Sequence, residues 1–230
     1  MIPEAEFAAG LAAPEGLSPR DRVSVTDLTY ESLRDLIVRG HLHPGAGVVE
    51  GSLAQRLRVS RTPLRQAIER LEADGLMLRK PNGRLHVSEV SRAEVLQLYA
   101  VRMALEDLAI SEAMSRITET SIQMLGRYIA TMRRIEEVQG NVADAGASFH
   151  NLLYMAGENS VNRQILSQLQ PRIDRYRFLS TGHSRPRQRS AIEEHQDIYE
   201  AVKRRDADQA RSALRSHLLN AQESVLSALP

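Results

Sequence analysis

Three histidines occupy positions where imidazole groups could meet inside a protein and bind a metal ion. His150 follows Phe149 and precedes Leu153 by three residues, while His195 and His217 both have aliphatic residues at helical spacing around them. Each histidine is therefore predicted on or beside the inward face of a different helix. Histidines on separate helices build metal sites in bundle cores, and neutral imidazole suits divalent zinc, nickel, copper or iron. A buried histidine can equally be a hydrogen-bonded core residue, and the pattern alone leaves both interpretations open.

A second group of residues has the chemistry to contact DNA. Arg61 and Arg65 stand four residues apart at the start of a predicted helix, so both project from one helical face. Arginine can donate two parallel hydrogen bonds to the O6 and N7 atoms of guanine, and hydroxyl groups at a helix N-terminus can contact phosphate. The hairpin predicted after this helix carries basic and turn-forming residues at its tip. The predicted DNA contacts are Ser60, Arg61, Thr62, Pro63, Arg65, Lys80, Asn82, Gly83 and Arg84.

Apolar spacing and turn residues predict the elements that position these DNA contacts. Residues 1–24 are rich in small residues and proline and are predicted to form a flexible arm, and a first helix follows from Val25 to about Gly40. Two shorter helices come next, and then two strands joined by an Asn-Gly turn. Helix, helix, helix and hairpin in this order are typical of a winged helix-turn-helix. The short elements are predicted at residues 52–57, 62–74, 76–79 and 85–90.

The chain after Ser91 is predicted to be helical throughout. Six helices are expected, near residues 92–116, 119–138, 141–157, 160–181, 188–204 and 206–228. The predicted fold class is therefore mainly α, with an N-terminal winged helix-turn-helix containing a small β-hairpin and a C-terminal all-α antiparallel helical bundle. The predicted domain boundaries are 1–24 for the arm, 25–90 for the winged helix and 91–230 for the helical domain.

Composition narrows the function classes. The 230 residues include 30 basic and 29 acidic side chains, a formal net charge of +1, so binding to nucleic acid must come from local placement of charge. The absence of cysteine excludes disulfides, thiolate zinc fingers, iron–sulfur clusters and cysteine nucleophiles. No apolar run reaches the roughly 20 residues that span a bilayer, and Glu4 and Glu6 stand where a secretory signal carries positive charge. We therefore expect a cytoplasmic location and no membrane partner.

The N-terminal part resembles the winged-helix domain of GntR-type bacterial transcription regulators. The similarity lies in the stretches YESLRDLIVRGHLHPG, LAQRLRVSRTPLRQAIERLEADGL and NGRLHV. It implies DNA contacts by the two arginines, Thr62 and Gly83, and a homodimer on a pseudo-palindromic double-stranded DNA operator. Two positions depart from the family pattern. Gly51 replaces a usual arginine or similar polar residue before the second helix, and Arg58 replaces a common glycine.

The C-terminal part is similar to the FCD ligand-binding domain of the FadR subfamily, through LYAVRMALEDLA, FHNLLYMAGEN, EEHQDIYEAVKRRDADQA and SHLLNA. The resemblance implies a divalent metal, zinc or nickel, on three histidines and an aspartate, and His150, His195 and His217 match the histidines. The aspartate position, four residues before the first histidine, is Gly146, and Asp144 lies roughly 120° away around the helix. Three outcomes stay open: three histidines plus water, a carboxylate effector that completes the site, or imidazoles that hold an effector without metal.

The FCD resemblance also implies a small organic acid as the effector. Arg102 matches a family arginine suited to clamp a carboxylate, with an i,i+4 ion pair to Glu106 as the alternative. Asn159 could instead cap a helix, and arginines such as Arg172 and Arg177 are further candidates that could equally form a solvated basic face. The predicted effector-binding residues are Arg102, His150, Asn159, Arg175, His195 and His217.

These observations favour a ligand-responsive transcription regulator, with repression relieved by the effector, over two alternatives. One alternative is an enzyme in which a three-histidine metal activates water. The sequence lacks the HExxH motif, the nucleophile elbow and the phosphate-binding loop of such enzymes, so we predict that the chain is not an enzyme. The other is a constitutive architectural DNA-binding protein whose bundle only dimerises, and polar histidines on a core face argue against it.

Overall fold

The computed structural model describes residues 24–182 and 184–229, and the chain divides into two compact units between Glu89 and Val90. The predicted N-terminal arm, residues 1–24, lies outside the described residues except for Ser24, whose hydroxyl accepts a hydrogen bond from the Asp27 amide. Within the described ranges, none of the helices combines the length and the apolar character needed to cross a lipid bilayer.

The N-terminal unit, from Ser24 onward, contains three helices and a three-stranded antiparallel sheet. Its elements are α1 (Val25–Val38), β1 (Gly47–Val48), α2 (Glu50–Leu57), α3 (Arg61–Ala73), β2 (Met77–Arg79) and β3 (Leu85–Val87). The strand order is β1-β3-β2, with Gly47 paired to His86 and Met77 to Val87. The predicted hairpin is β2 and β3. Strand β1 was not predicted, because two residues are too few to show an alternation of apolar and polar side chains.

Apolar residues on one face of α3 fix the orientation of that helix. Leu64, Ile68 and Leu71 are buried and join Leu33 of α1 and Leu57 of α2 in one hydrophobic cluster. Full burial of such a side chain contributes about 1.5–3 kcal/mol, so rotation of the helix about its axis is strongly disfavoured. The opposite face of α3 is therefore held toward solvent.

The C-terminal unit is a bundle of six helices within residues 90–182 and 184–229. They are α4 (Arg92–Met114), α5 (Glu119–Glu137), α6 (Ala143–Ala156), α7 (Ser160–Thr181), α8 (Arg185–Lys203) and α9 (Ala207–Ala228). All six predicted helices are present, and α8 begins three residues earlier than predicted because Ser184 caps it and Pro186 fits its first turn. The structure confirms the predicted fold class, a winged helix-turn-helix followed by an all-α bundle.

Side-chain caps mark the start of five of these six helices. A capping side chain accepts a backbone N–H that the first helical turn leaves unpaired, which contributes about 0.5–2 kcal/mol. Asn159, one of the expected effector contacts, is such a cap, and its amide also donates to Glu112 at 2.9 Å. The five capping residues are Ser91, Thr118, Asn159, Ser184 and Asp206.

Arg58 ends α2 in the left-handed region of backbone conformation. Its φ is 54° and its ψ is 38°, and its N–H donates to the carbonyl groups of Ala54 and Gln55. A side chain in this region costs roughly 1–2 kcal/mol because Cβ approaches the following carbonyl oxygen. Arginine at this position therefore carries a backbone cost that glycine would not.

We expect Arg58→Gly to raise the free energy of unfolding by about 1 kcal/mol, because relief of the Cβ contact outweighs the greater chain entropy of unfolded glycine. Urea denaturation followed by circular dichroism measures the change. The matched control is Arg56→Gly in the last turn of the same helix, which we expect to lower the unfolding free energy by about 1 kcal/mol. Equal destabilisation by both substitutions would contradict the strain at Arg58.

Candidate functional site

The start of α3 presents the predicted DNA contacts to solvent. Arg61, Thr62 and Arg65 are exposed, and Pro63 is half-buried beside them. Ser60 occupies the N-cap position with extended backbone angles, φ −73° and ψ 166°, but its side chain makes no capping hydrogen bond. Its hydroxyl therefore remains available to an anion at the positive end of the helix dipole.

The tip of the hairpin between β2 and β3 is also exposed. Gly83 has a φ of +77°, as the last residue of a three-residue hairpin loop requires, and its N–H donates to the Lys80 carbonyl group. The Arg84 amide donates to the Asn82 side chain at 3.0 Å. Lys80 and Arg84 flank this turn and are both exposed. The sheet thus holds two cationic side chains on a rigid projection, the arrangement that contact with a DNA backbone requires.

One acidic residue lies among the cationic side chains of this surface. Glu50, the first residue of α2, approaches Arg65 at 3.6 Å and Arg79 at 3.1 Å. These ion pairs restrain the side chains of Arg65 on α3 and of Arg79 on β2. They also lower the local positive charge that attracts phosphate.

The helical unit brings the three predicted histidines together. His150 of α6, His195 of α8 and His217 of α9 are at most 5% exposed, and one nitrogen from each ring lies within 4.8 Å of the others. The Nε2 atoms of His150 and His217 are 3.2 Å apart. The sequence expectation that these side chains converge from separate helices agrees with the geometry.

Each imidazole is held in one tautomer by an acceptor at Nδ1. His150 Nδ1 lies 2.7 Å from Glu106, His217 Nδ1 lies 2.7 Å from Glu194, and His195 Nδ1 lies 2.6 Å from the carbonyl oxygen of Ala191. Carboxylate and carbonyl oxygens only accept hydrogen bonds, so each Nδ1 carries the proton. Each Nε2 then carries the lone pair with which an imidazole binds a metal ion.

Burial keeps these rings neutral. Removal from water lowers the pKa of His150 to about 3 and the pKa of His217 to about 4, and it lowers the pKa of His195 well below its ordinary value. The carboxylates of Glu106 and Glu194 oppose this effect for the first two rings but do not overcome it. Neutral imidazole is the form that binds a metal ion.

The two glutamates are themselves held by arginines. Arg102 Nε donates to Glu106 at 2.6 Å, and Arg187 donates to both oxygens of Glu194 at 2.8 and 2.9 Å. Burial would raise the pKa of each carboxyl group. The neighbouring arginine and histidine outweigh this effect of burial at each site. They hold the pKa of Glu106 well below its usual range, and they lower the pKa of Glu194 to about 2. We call these two networks the arginine–glutamate–histidine chains.

The residues present fit a divalent transition metal. Two nitrogen ligands of a tetrahedral ion stand about 3.3 Å apart, close to the 3.2 Å between the Nε2 atoms of His150 and His217. His195 Nε2 is buried and has no hydrogen-bond partner among the described residues. Carboxylates behind metal-binding imidazoles fix the ring orientation in known sites, as Glu106 and Glu194 do here.

Gly146 lies directly beside the histidines, one turn before His150 on α6. A Cβ atom built at Gly146 would lie 3.6 Å from both His195 Nε2 and His195 Cε1, and 4.0 Å from Arg177 Cδ. A side chain at this position would therefore point at the cluster without a clash. Asp144, in contrast, is exposed at the first turn of α6. The three histidines therefore meet without an aspartate from either position.

A cavity of about 20 Å³ adjoins the histidines, which is room for about one water-sized body. Arg102 lines it, and so does Arg177, which sequence reasoning had named only as a further candidate. Arg175 is buried, but it is not among the residues that line this cavity, and neither is the helix cap Asn159. Gly146 lines it as well, and the polar residues of the lining are Tyr99, Arg102, Arg177, Ser180, Thr181, Arg187, His195 and His217.

Sequence reasoning missed Glu194 and Arg187 entirely. Both lie on α8 and are seven residues apart, which is two helical turns, and this spacing was the available signal. Glu106 was considered only as an ion-pair partner of Arg102, as an alternative to a ligand-binding arginine. The structure shows that Arg102 makes this pair, and it also places Arg102 in the lining of the cavity.

Comparison with known proteins assigns both units. Residues 26–87 match the family described as "Bacterial regulatory proteins, gntR family", and residues 97–220 match the "FCD domain" family. The "HTH-type transcriptional repressor RspR" of Escherichia coli K12 is 30% identical over 203 residues, which cover 87% of this chain and 89% of that protein. The "Nta operon transcriptional regulator" of Aminobacter aminovorans is 26% identical over 192 residues, covering 83% and 90% of the two chains.

Solved structures show the same fold. The E. coli protein McbR/YncC superimposes with a TM-score of 0.77 at 22% identity, covering 90% of this chain and 99% of that one. A GntR transcriptional regulator from Rhodococcus sp. RHA1 gives a TM-score of 0.75 at 20% identity, covering 90% and 100%. The matches to the two families and to the E. coli repressor identify a transcription regulator with a DNA-binding winged helix, as the sequence predicted. The chain belongs to the GntR family and carries an FCD domain.

Glu106→Gln is expected to lower the free energy of unfolding by about 3–5 kcal/mol, because it leaves the buried charge of Arg102 uncompensated. Thermal and urea denaturation of the full chain measure the loss. The matched control is Asp107→Asn, at the next position of α4, whose exposed pair with Arg211 contributes little. Equal free energies of unfolding for the two variants would refute the structural importance of the buried hydrogen bonds that join Arg102, Glu106 and His150.

Proposed function

We propose that this regulator binds a pseudo-palindromic operator as a homodimer and represses transcription until a small carboxylate effector binds its helical unit. In this proposal residues 25–90 bind DNA, and residues 91–230 dimerise and hold the effector beside a divalent metal. The observation that carries the sensing role is the convergence of three buried histidines, with one nitrogen atom of each ring within 4.8 Å of the others. A bundle core gains no stability from such an arrangement without a ligand, because buried lone-pair atoms need partners.

The operator contacts follow from what α3 and the hairpin present to solvent. Arg61 and Arg65 reach base edges, while Ser60, Thr62 and the hairpin cations Lys80 and Arg84 contact phosphates. Two copies of this unit on a two-fold operator read half-sites about 34–36 Å apart. The name of the E. coli relative, a transcriptional repressor, supports repression as the direction of control.

The effector changes DNA binding by preferring one of two states of the regulator. A ligand shifts such an equilibrium only by its difference in affinity for the two states. The small cavity beside the histidines supports a role for side-chain rearrangement, because an organic acid needs more room than one water-sized body. The metal, when bound to the histidines, supplies a Lewis acid that attracts the carboxylate group of the effector.

Arg61→Ala and Arg65→Ala are each expected to weaken operator binding by about 1–3 kcal/mol, because each removes a contact to base edges. Fluorescence anisotropy on the operator, selected from random DNA, measures the loss. Glu50→Gln is expected to strengthen operator binding, because it removes the acidic group beside Arg65 and Arg79. The control is Arg39→Ala at the C-cap position that follows α1, and equal effects of all three arginine substitutions would contradict the assignment of α3.

Protein purified without chelator is expected to contain about one equivalent of zinc or nickel per chain, measured by plasma mass spectrometry. His195→Ala is expected to lose the metal, since it removes one of three nitrogen ligands. His86→Ala, in the winged-helix unit, is the matched control and should retain it. A wild-type protein that takes up neither metal after dialysis against zinc or nickel salts would eliminate the metal site.

A further inference from the structure

Several hydrogen-bond donors in or around the cavity lack a partner in the described part of the chain. The unpartnered nitrogen atoms are Nη2 of Arg102, Nη2 of Arg177 and Nε of Arg187, and the hydroxyl groups of Tyr99 and Ser180 are unpartnered as well. All five residues line the cavity, and all except Arg187 are at most 8% exposed. A buried donor without an acceptor costs about 1–3 kcal/mol, so this many donors around one cavity indicate a bound acceptor.

The charges around the cavity cancel when no metal is bound. Arg102 pairs with Glu106, Arg177 pairs with Asp174 at 2.7 Å, and Arg187 pairs with Glu194. Each histidine directs Nδ1 at an oxygen acceptor, and an imidazole that binds a metal through Nε2 is neutral. A divalent metal on these histidines therefore gives the site a net charge of +2, and no carboxylate of the described residues joins the three nitrogen atoms in the cluster.

Gly146 is the position that leaves this charge uncompensated. A side chain at Gly146 would point at His195 Nε2 from 3.6 Å, so an acidic residue there would bring one negative charge to the metal. With glycine, that space and that charge are left to the ligand. A buried charge is costly unless it is paired, so the ligand must supply two negative charges to the site.

We infer that the cavity beside Gly146 selects a small oxyanion with two negative charges, bound between the three histidines and the N–H groups of Arg102, Arg177 and Arg187. The inference rests on the proposed metal site and specifies the ligand that this site prefers. One charged end of the ligand occupies the space beside Gly146, and the other accepts hydrogen bonds from the arginines. A short dicarboxylate and an inorganic tetrahedral dianion share this chemistry.

The size of the cavity makes this binding a conformational event. At about 20 Å³ the cavity does not accommodate a dianion while the arginine side chains keep their present positions. Arg177 and Arg187 must therefore move away from the histidines as the anion enters. Each has its carboxylate partner on its own helix, Asp174 on α7 and Glu194 on α8, so the rearrangement begins with the side chains of these two helices.

The test is isothermal titration of zinc-loaded protein with malonate, sulfate and acetate at fixed pH and ionic strength. We expect at least one dianion to bind at least about ten-fold more tightly than acetate, because the second charge is neutralised in a buried site. Preference for malonate identifies a dicarboxylate, and preference for sulfate identifies an inorganic oxyanion. Equal affinity for acetate and both dianions would overturn the inference.

Two substitutions at Gly146 distinguish the effect of a side chain's charge on the dianion preference from the effect of its shape. Gly146→Asp is expected to raise zinc affinity and to reduce the preference for dianions to roughly three-fold or less, because the protein then supplies one charge itself. Gly146→Asn has nearly the same shape without the charge, and the dianion preference is expected to persist in it. Loss of the preference in both variants, or in neither, would contradict the role of charge at this position.

A second pair of variants tests the arginine end. Arg187→Gln is expected to weaken dianion binding at least about ten-fold while acetate binding changes less. Arg189→Gln is the matched control, since Arg189 is exposed on the same helix and pairs with Glu136. Zinc content is measured on every sample, so that failure of the dianion preference can be distinguished from failure of the proposed metal site. Zinc-loaded protein without a dianion preference overturns this inference alone, whereas protein that takes up no zinc overturns the proposed metal site as well.

Discussion

The helical unit depends on two buried chains of charge-assisted hydrogen bonds, each running from an arginine through a glutamate to a histidine. Arg102 and Glu106 are almost completely buried, and the loss of hydration of two such charges is compensated only when they pair with good geometry. Glu106 meets this condition by accepting from Arg102 at one oxygen and from His150 at the other. The same arrangement recurs at Glu194 with Arg187 and His217. The orientation of the His150 and His217 rings, on which the proposed metal site depends, therefore rests on these pairs.

The two units distribute charge in opposite ways. In the winged helix the arginines are exposed, where their charge attracts phosphate and remains sensitive to salt. Around the cavity of the bundle, Arg102 and Arg177 are buried, Arg187 is half-buried, and each is matched by a carboxylate, so these three contribute little to the field outside the protein. A chain with a formal net charge of only +1 can therefore present an exposed cationic surface in one unit and buried arginine N–H groups in the other.

Gly146 shows how one missing side chain changes the character of a site. The backbone of α6 is regular at this position, and the space that a side chain would fill faces His195. Because no carboxylate stands there, a ligand in the cavity would have to supply both the coordinating group and the negative charge. A metal at the proposed site would thus receive no carboxylate from this position, and the proposed ligand would supply one, which suits a sensor better than a permanent structural centre.

The sequence by itself determined the helices, the hairpin and the surface that faces DNA. Periodic leucines on α3 decide which face is buried, so Arg61 and Arg65 must lie on the opposite face whatever the rest of the chain does. The same rule predicted that His150, His195 and His217 face inward. It could not predict β1, whose two residues form a strand only because β3 lies beside them.

Only the tertiary structure decided which polar groups meet. Glu194 stands next to His195 in the chain, yet it accepts from His217, because successive residues on a helix point about 100° apart. The sequence favoured Arg175 as an effector contact and left Arg177 as a further candidate, whereas the packing of α7 directs Arg177 into the cavity. Helical periodicity fixes the face of a side chain, whereas its partner depends on the rotation and height of the neighbouring helix, which many residues set together.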